Sequence, residues 1–368
     1  MHKCASQNDD PVAQWFAREI RIANVDHAVS NWLSLIWYDP AIQPQPPENL
    51  PAFHHFSDID IAIMRSGWHG DESVFFFKCS PPMGHQFYTL PDSLIEMSNS
   101  GNGHAHYDAN GFILFAHGEW LASDPGYTVK KLTRNHNTIL VNDHGMINDG
   151  TTWGEFRTYG PNDKPHLKSY GKNHISELIH VESTPEYDYV IGDASKVYEA
   201  EARLVKYLRH AIYFKPDTYL IIDELEAEIP SDFDWYLNSE AHHSIEPAGE
   251  NRFLLRGKNA LLQIEFLRPD DIQSKIYEYQ VPEPRDLSVM KSLQVTPSSK
   301  MKEMTFITLL SVGKSGAENF AEMEMTGDDS YRLTSDDFDY QLELKFDREE
   351  NADPIFELRC IDHKSEQE

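Results

Sequence analysis

The sequence predicts a mainly β chain, an antiparallel multi-stranded β-sandwich preceded by a short α-helical segment. Three observations predict it. After Phe53, short runs rich in Val, Ile, Phe and Tyr recur, each bounded by Gly, Pro, Asn, Asp or Ser, which is the pattern of strands and turns. Apolar residues at helical spacing are confined to the start of the chain. Between the two lies AIQPQPPENLPAF, too rich in proline to be helix or central strand, which reads as a linker.

Residues 10–38 have helical character. DDPVAQWFAREIRIA opens with acidic residues and a proline near the first turn, both favourable at a helix start. VDHAVSNWLSLIWYD continues with apolar residues at helical spacing. Residues 1–50 are therefore a helical segment with its linker, and residues 51–368 are the β domain. DIDIAIMRS and SVFFFKCS read as strands separated by GWHGDE. GFILFA and EWLASD form a hairpin around His117-Gly118. TILVND, DYVIGDA, RLVKYLRHAIYF, TYLIIDELEA, DFDWYLNS, RFLLRG and ALLQIEFL follow, and MTFITLLSV and DYQLELKFD extend the pattern toward the end. Many short strands with few helices argue for stacked antiparallel sheets. Trp68, Trp120, Trp153 and Trp235 are expected in the sandwich core.

Composition narrows the function. Sixty acidic against 32 basic residues give a formal charge of −28. That excludes the basic footprint of nucleic-acid binding and argues against docking on anionic membranes. A site for acidic sugars must then be a local exception. The three cysteines, Cys4, Cys79 and Cys360, are scattered and suggest no disulfide framework. The N-terminal MHKCASQNDDPVAQ has no apolar core of the kind a secretory signal needs.

The chemistry concentrates in GNGHAHYDANGFILFAHGEWLASDPGYTVKKLTRNHNT, residues 101–138. His106, Asp124 and His136 are the mix of imidazole and carboxylate that holds a zinc-like ion. His104 stands two residues before His106, and in an extended segment such residues look to the same face. Asp108 either orients an imidazole or is an ordinary turn carboxylate. His144, in NDHGM, is an alternative ligand. Lys130, Lys131 and Arg134 form a basic stretch that either meets substrate carboxylates or is a solvated loop. Tyr127 either contacts a sugar ring or sits at the edge of the core. Arg209 and His210, in an apolar strand, are expected to be buried and paired, with no functional role assigned.

GHAHYD, GFILFAHGEW, SDPGY and HNTILVN, in that order, resemble the C-terminal β-sandwich, or supersandwich, of the heparinase II/III-like polysaccharide lyases, which include heparin and alginate lyases. LRHAIYFKPDTYLIIDEL and FDWYLNS add to the likeness, which covers roughly residues 55 to 310. The resemblance implies that His104 is catalytic and that His106, Asp124 and His136 bind one mainly structural divalent ion, usually zinc. It implies an acidic polysaccharide or oligosaccharide as partner, for which Tyr127 and Arg134 are the candidate substrate contacts on the residue reading above. It makes the N-terminal helices the end of an α/α-toroid, whose tyrosine and asparagine or histidine normally complete the site. It also suggests a periplasmic or secreted protein. A cupin-like metal protein shares the H-x-H pair, but the glutamate expected four or five residues later is replaced by Asn110 and Gly111. Two function classes follow. One is a lyase cleaving heparin-, heparan- or alginate-type uronates by β-elimination. The other is a non-catalytic carbohydrate-binding or interaction sandwich derived from such a lyase.

Overall fold

From Leu204 to Phe214 and from Thr218 to Ser231 the chain forms two long neighbouring strands whose side chains are buried on both faces over most of their length. Tyr207, Ala211, Tyr213, Tyr219 and Ile221 enter one apolar cluster. The alternate residues Leu208, Ile212, Phe214, Leu220 and Ile222 enter a second. Side chains alternate across a strand, so a sheet with apolar residues at both parities must be covered on both sides. That is the physical reason for the continuous apolar runs RLVKYLRHAIYF and TYLIIDEL.

The computed structural model describes residues 1–22, 31–91, 93–94, 105–152, 174–282 and 287–361. The two long strands lie inside an eight-stranded sheet, together with Glu177–Ser183, Tyr187–Asp193, Ser244–Gly249, Arg252–Arg256, Ala260–Arg268 and Met301–Lys314. Two further sheets cover its first face. One has five strands, Phe53–Phe56, Ile61–Arg65, Val74–Lys78, Gly111–Ala116 and Glu119–Ala122, in sequence order. The other has four, Ile272–Pro282, Leu287–Pro297, Phe233–Glu240 and Ile139–Val141. Ala62, Phe75, Phe77 and Leu114 from the five-stranded sheet, and Trp235, Leu237 and Leu293 from its neighbour, share the first cluster. The second face is covered by the C-terminal sheet of Glu322–Met325, Ser330–Thr334, Asp339–Leu344 and Phe356–Cys360. Every pairing of these strands is antiparallel. The chain is thus the mainly β, multi-stranded sandwich that its sequence predicts.

The hairpin turns at His117-Gly118, as expected. Both residues have positive φ, 49° and 84°, the geometry of a two-residue turn whose twist matches that of its strands.

By contact density the chain divides into two compact units, Met1–Ala52 with Gly67–His69 and Phe53–Ser66 with Gly70–Glu368. In the first unit the helix Pro11–Ile22 is capped by Asp10, whose Oδ1 accepts the amides of Val12 at 2.9 Å and Ala13 at 3.0 Å. Pro11 occupies the first turn, where its missing N–H costs nothing. The helix Asn31–Trp37 falls within the second expected stretch. A further short helix, His2–Asn8, lies within the expected helical segment, ahead of the stretch 10–38 that shows helical spacing, and ends at Asp9 in a left-handed conformation. Its sequence lacks an apolar stripe, so periodicity gave no separate bounds for it.

The tryptophans depart from expectation. Trp235 is fully buried, but Trp120 is 42% exposed on an outer strand. Trp68 belongs to the first unit, where its Nε1 donates to the Leu50 carbonyl at 3.1 Å. Trp153 lies outside the described residues.

Candidate metal centre

Three segments of one stretch of chain deliver His106, Asp124 and His136 to one place. His106 precedes the strand Gly111–Ala116, in a loop that closes through the Gly111 amide on the Asp108 carbonyl at 2.9 Å. Asp124 follows the strand Glu119–Ala122, and its Oδ1 accepts the Gly126 amide at 2.7 Å, so the D-P-G turn orients the carboxylate. His136 follows the 3-10 turn Thr133–Asn135 and is 3% exposed. One ligand atom from each of the three side chains lies within 4.8 Å of the others. The His106 and His136 rings are 5.1 Å apart by centroid. His136 Nδ1 is 3.6 Å from Asp124 Oδ2, longer than a hydrogen bond.

The electrostatics leave His106 and Asp124 as free donors at neutral pH. Burial, reinforced by the neighbouring His136, pushes the His106 pKa down to about 4. Burial pushes the Asp124 carboxyl up, but the His136 imidazole, the Gly126 amide and His106 outweigh it and hold it below the usual carboxylate range. A neutral imidazole and an ionised carboxylate are the forms that bind a divalent ion. Two imidazoles and one carboxylate with converging atoms are a chemical fit to zinc. The centre borders a cavity of about 170 Å³ lined by Lys78, Asp108, Asp124 and His136 among others.

Other expected residues take clear positions. Asp108 is a lysine partner: Lys78 Nζ donates to both its oxygens at 2.8 and 2.9 Å. His144 is exposed and lies outside the converging group. Tyr127 is 56% exposed. Arg134 donates from Nη2 to Asp143 Oδ1 at 2.9 Å, near the surface. Lys131 is 4% exposed and burial lowers its pKa, so this stretch is not the simple solvated loop that was one of its two readings. His104 lies outside the described residues.

Two sets of residues to which the sequence assigned no role at the centre tie its segments together. Asn137 sits beside His136, and its amide reaches two strands and the residue just after a third. Its Nδ2 donates to the carbonyls of Phe112 at 2.7 Å and Ser123 at 3.3 Å, and its Oδ1 accepts the Asn238 amide at 2.6 Å. It therefore ties the His136 backbone to the residue preceding Asp124. The second set is Arg209 with Asp223, which are direct partners across neighbouring strands. Both side chains are fully buried, and the guanidinium meets the carboxylate at 2.6 and 3.0 Å. Its Nη1 donates onward to the carbonyls of Asn110 at 2.7 Å and Asn137 at 2.6 Å. Only a planar fork with several donors can do both at once. Asn110 in turn donates from Nδ2 to the Gly192 carbonyl at 3.1 Å. A Cβ at Gly192 would meet Asn110 Oδ1 at 2.0 Å, so this close approach requires glycine. The signals were present, an arginine inside an apolar strand and the central residue of H-N-T, but neither names its partner.

His210 points to the opposite face, as its odd spacing from Arg209 requires. Its Nδ1 is 2.7 Å from Tyr189 Oη and its Nε2 is 2.7 Å from Glu224 Oε1. Glu224 also accepts from Lys206 at 2.8 Å and from Arg348. Both members of the R-H pair are thus buried and paired, in separate networks.

Comparison with known proteins bears on this geometry. The pattern of the family described as heparinase II/III-like, C-terminal, matches residues 48–299, more than half of the chain. Heparan sulfate lyase HepC from Pedobacter heparinus superposes with a TM-score of 0.59 at 15% identity, over 95% of this chain and 47% of that one. A structure of heparinase III superposes with a TM-score of 0.57 at 12% identity, over 82% of this chain and 43% of that one. The chain spans about half the length of these structures or less. At these identities the superpositions establish a shared fold.

Proposed function

The chain belongs to the heparinase II/III-like, C-terminal family, and on that premise we propose that it is the sandwich part of a lyase cleaving uronic-acid-containing polysaccharide by β-elimination. The observation that carries the proposal is the convergence of His106, Asp124 and His136. In this reading they hold one zinc ion, and its contribution is to pin three segments beside the substrate cleft. A heparin-, heparan- or alginate-type polymer offers the required chemistry. A base removes the C5 proton of the uronate, the C4–O4 bond breaks, and an acid protonates the departing O4. His104, two residues before His106, is assigned one of these proton transfers, since an imidazole titrates near neutrality.

The protein is strongly acidic, so the substrate carboxylates need local cations. Arg134 is assigned to them. Its ion pair with Asp143 is partly exposed on both sides, and such a pair is worth only about 0–1 kcal/mol, so a substrate carboxylate can replace it. Tyr127, exposed just beyond Asp124, is assigned to contact a sugar ring. The helical unit carries exposed Ile22, Leu35, Ile36 and Tyr38. Such an apolar surface suits a further helical domain that contributes the remaining acid–base partner.

The test is the absorbance of unsaturated uronate ends released from heparan, heparin and alginate, with this chain alone and with an added helical half. Cleavage that is lost in His104→Ala, with zinc content and thermal stability retained, supports the assignment. Full activity in His104→Ala refutes the catalytic role. Binding of these polymers without cleavage under any combination replaces the lyase with a carbohydrate-binding sandwich.

A further inference from the structure

A second set of metal-binding side chains converges at the other end of the strand that leads to Asp124. Glu119 begins this strand, and the Ser123 amide donates to the Asn238 carbonyl at 2.9 Å. That antiparallel approach carries the residues after Glu240 toward Glu119. One ligand atom from each of Glu119, His242 and His243 lies within 4.8 Å of the others. The two imidazole rings are 4.2 Å apart by centroid.

Each member is prepared in a different way. His243 is 1% exposed, and its Nδ1 is held 2.6 Å from Ser239 Oγ. Its Nε2 is buried and has no hydrogen-bond partner among the described residues. A buried imidazole nitrogen left without a partner is costly, and such a group in a native fold calls for an explanation. With the Nδ1 hydrogen directed to Ser239, Nε2 carries the lone pair that a metal uses.

Glu119 is oriented by three backbone amides, those of Lys258 at 2.9 Å, Asn259 at 2.8 Å and Ala260 at 3.0 Å. A carboxylate offers about four acceptor positions, so one remains. His242 is exposed, and its Nδ1 lies 3.3 Å from Glu240 Oε2. A carboxylate against one imidazole nitrogen orients the ring and strengthens the other nitrogen as a ligand. Lys291, the cation on the adjoining strand, donates to the His243 carbonyl at 2.6 Å and lies 3.3 Å from Glu278, which offsets its charge.

We propose that Glu119, His242 and His243 form a second metal site, taking one divalent ion of the zinc class. Two imidazoles and a carboxylate are a characteristic donor set for such an ion, and exposure on the His242 side leaves a fourth position for water. The site shares no residue with His106, Asp124 and His136. Its ion joins the five-stranded sheet to the segment following Phe233–Glu240, and the amides of Lys258–Ala260 hold the carboxylate in place.

The experiment measures zinc bound per chain after equilibrium dialysis of the whole protein, and zinc affinity by competition with a chromophoric chelator. His106→Ala removes the other centre from the count. His106→Ala is expected to retain about one zinc per chain, and the double variant His106→Ala/His242→Ala to lose it. His242 is exposed, so its replacement leaves the fold intact, which circular dichroism checks. The affinity should fall more than the roughly 10–100-fold that accompanies loss of an outer hydrogen-bond partner. Cobalt supplies an independent readout: visible d–d bands in His106→Ala should vanish in the double variant. Absence of bound zinc in folded His106→Ala overturns the proposal, and so does undiminished binding in the double variant.

Discussion

Replacing Arg209 with methionine tests whether one buried ion pair organises the metal centre. The side chain is fully buried, paired with Asp223 through two hydrogen bonds, and bonded to the carbonyls of Asn110 and Asn137. Methionine fills much of the volume but supplies no donor. The uncompensated Asp223 carboxylate should cost about 3–5 kcal/mol. Each carbonyl left without this donor adds roughly 1–3 kcal/mol unless another donor reaches it. These contributions are coupled, so the expected loss is at least about 4 kcal/mol, a large part of the roughly 5–15 kcal/mol available to a folded domain. Urea unfolding of the metal-free protein, followed by tryptophan fluorescence, reads the change as a lower midpoint; Trp235 is fully buried and reports on this core. Arg209→Met/Asp223→Leu removes both charges. It should recover most of the pair contribution but not the carbonyl contribution, and so unfold between the single variant and the parent. The zinc affinity of Arg209→Met should also fall, because Asn137 adjoins His136. A single variant within about 1 kcal/mol of the parent would refute the reasoning. A double variant less stable than the single one would do so as well.

Three other outcomes are expected. His106→Ala should abolish stabilisation by zinc at the first centre, which in the parent amounts to about 2.7 kcal/mol at a free concentration a hundred times Kd; an equal zinc-induced rise in melting temperature in His106→Ala/His242→Ala and parent would contradict it. Asn137→Ala should lower both stability and zinc affinity without removing a ligand, since its side chain makes contacts to Phe112, Ser123 and Asn238; unchanged zinc affinity would show that His136 is positioned independently. Metal-free protein should lose stability as pH falls from 6.5 toward 4, because unfolded His106 takes up a proton near 6.5 whereas in the fold burial and His136 depress its pKa to about 4. The unfolded state then binds more protons in that window, and the loss is on the order of 3 kcal/mol. A His106→Asn variant should flatten this dependence, and an equally steep urea-midpoint profile in that variant would exclude His106 as its source.

The strands were legible because each carries its own burial pattern. GFILFA and EWLASD, joined at His117-Gly118, announced a hairpin, since the local chain supplies both the turn and the apolar residues it must bury. Asp10 and Pro11 likewise marked a helix start by local chemistry. The bounds of the short helix His2–Asn8 were not legible, since it has no apolar stripe to register, although it lies in the segment expected to be helical. Trp120 was misjudged because bulk and apolarity do not say which face of an outer strand is covered.

At the candidate metal centre the sequence by itself determined donor types and their order: His106, Asp124 and His136 stand out as chemistry within one stretch of chain. Only the tertiary structure decided that they converge, because convergence depends on the pairing of Gly111–Ala116 with Glu119–Ala122 and on the Asn137 amide bonded to Phe112, Ser123 and Asn238. It also decided that Arg209 and His210, adjacent in sequence, serve opposite faces of the central sheet. The second donor set was invisible for the same reason. Glu119 and His243 are 124 positions apart, and nothing local to either residue encodes the approach of one strand end to the other. Local propensity is a property of neighbours in the chain, whereas a ligand set is a property of distances set by sheet register and layer packing.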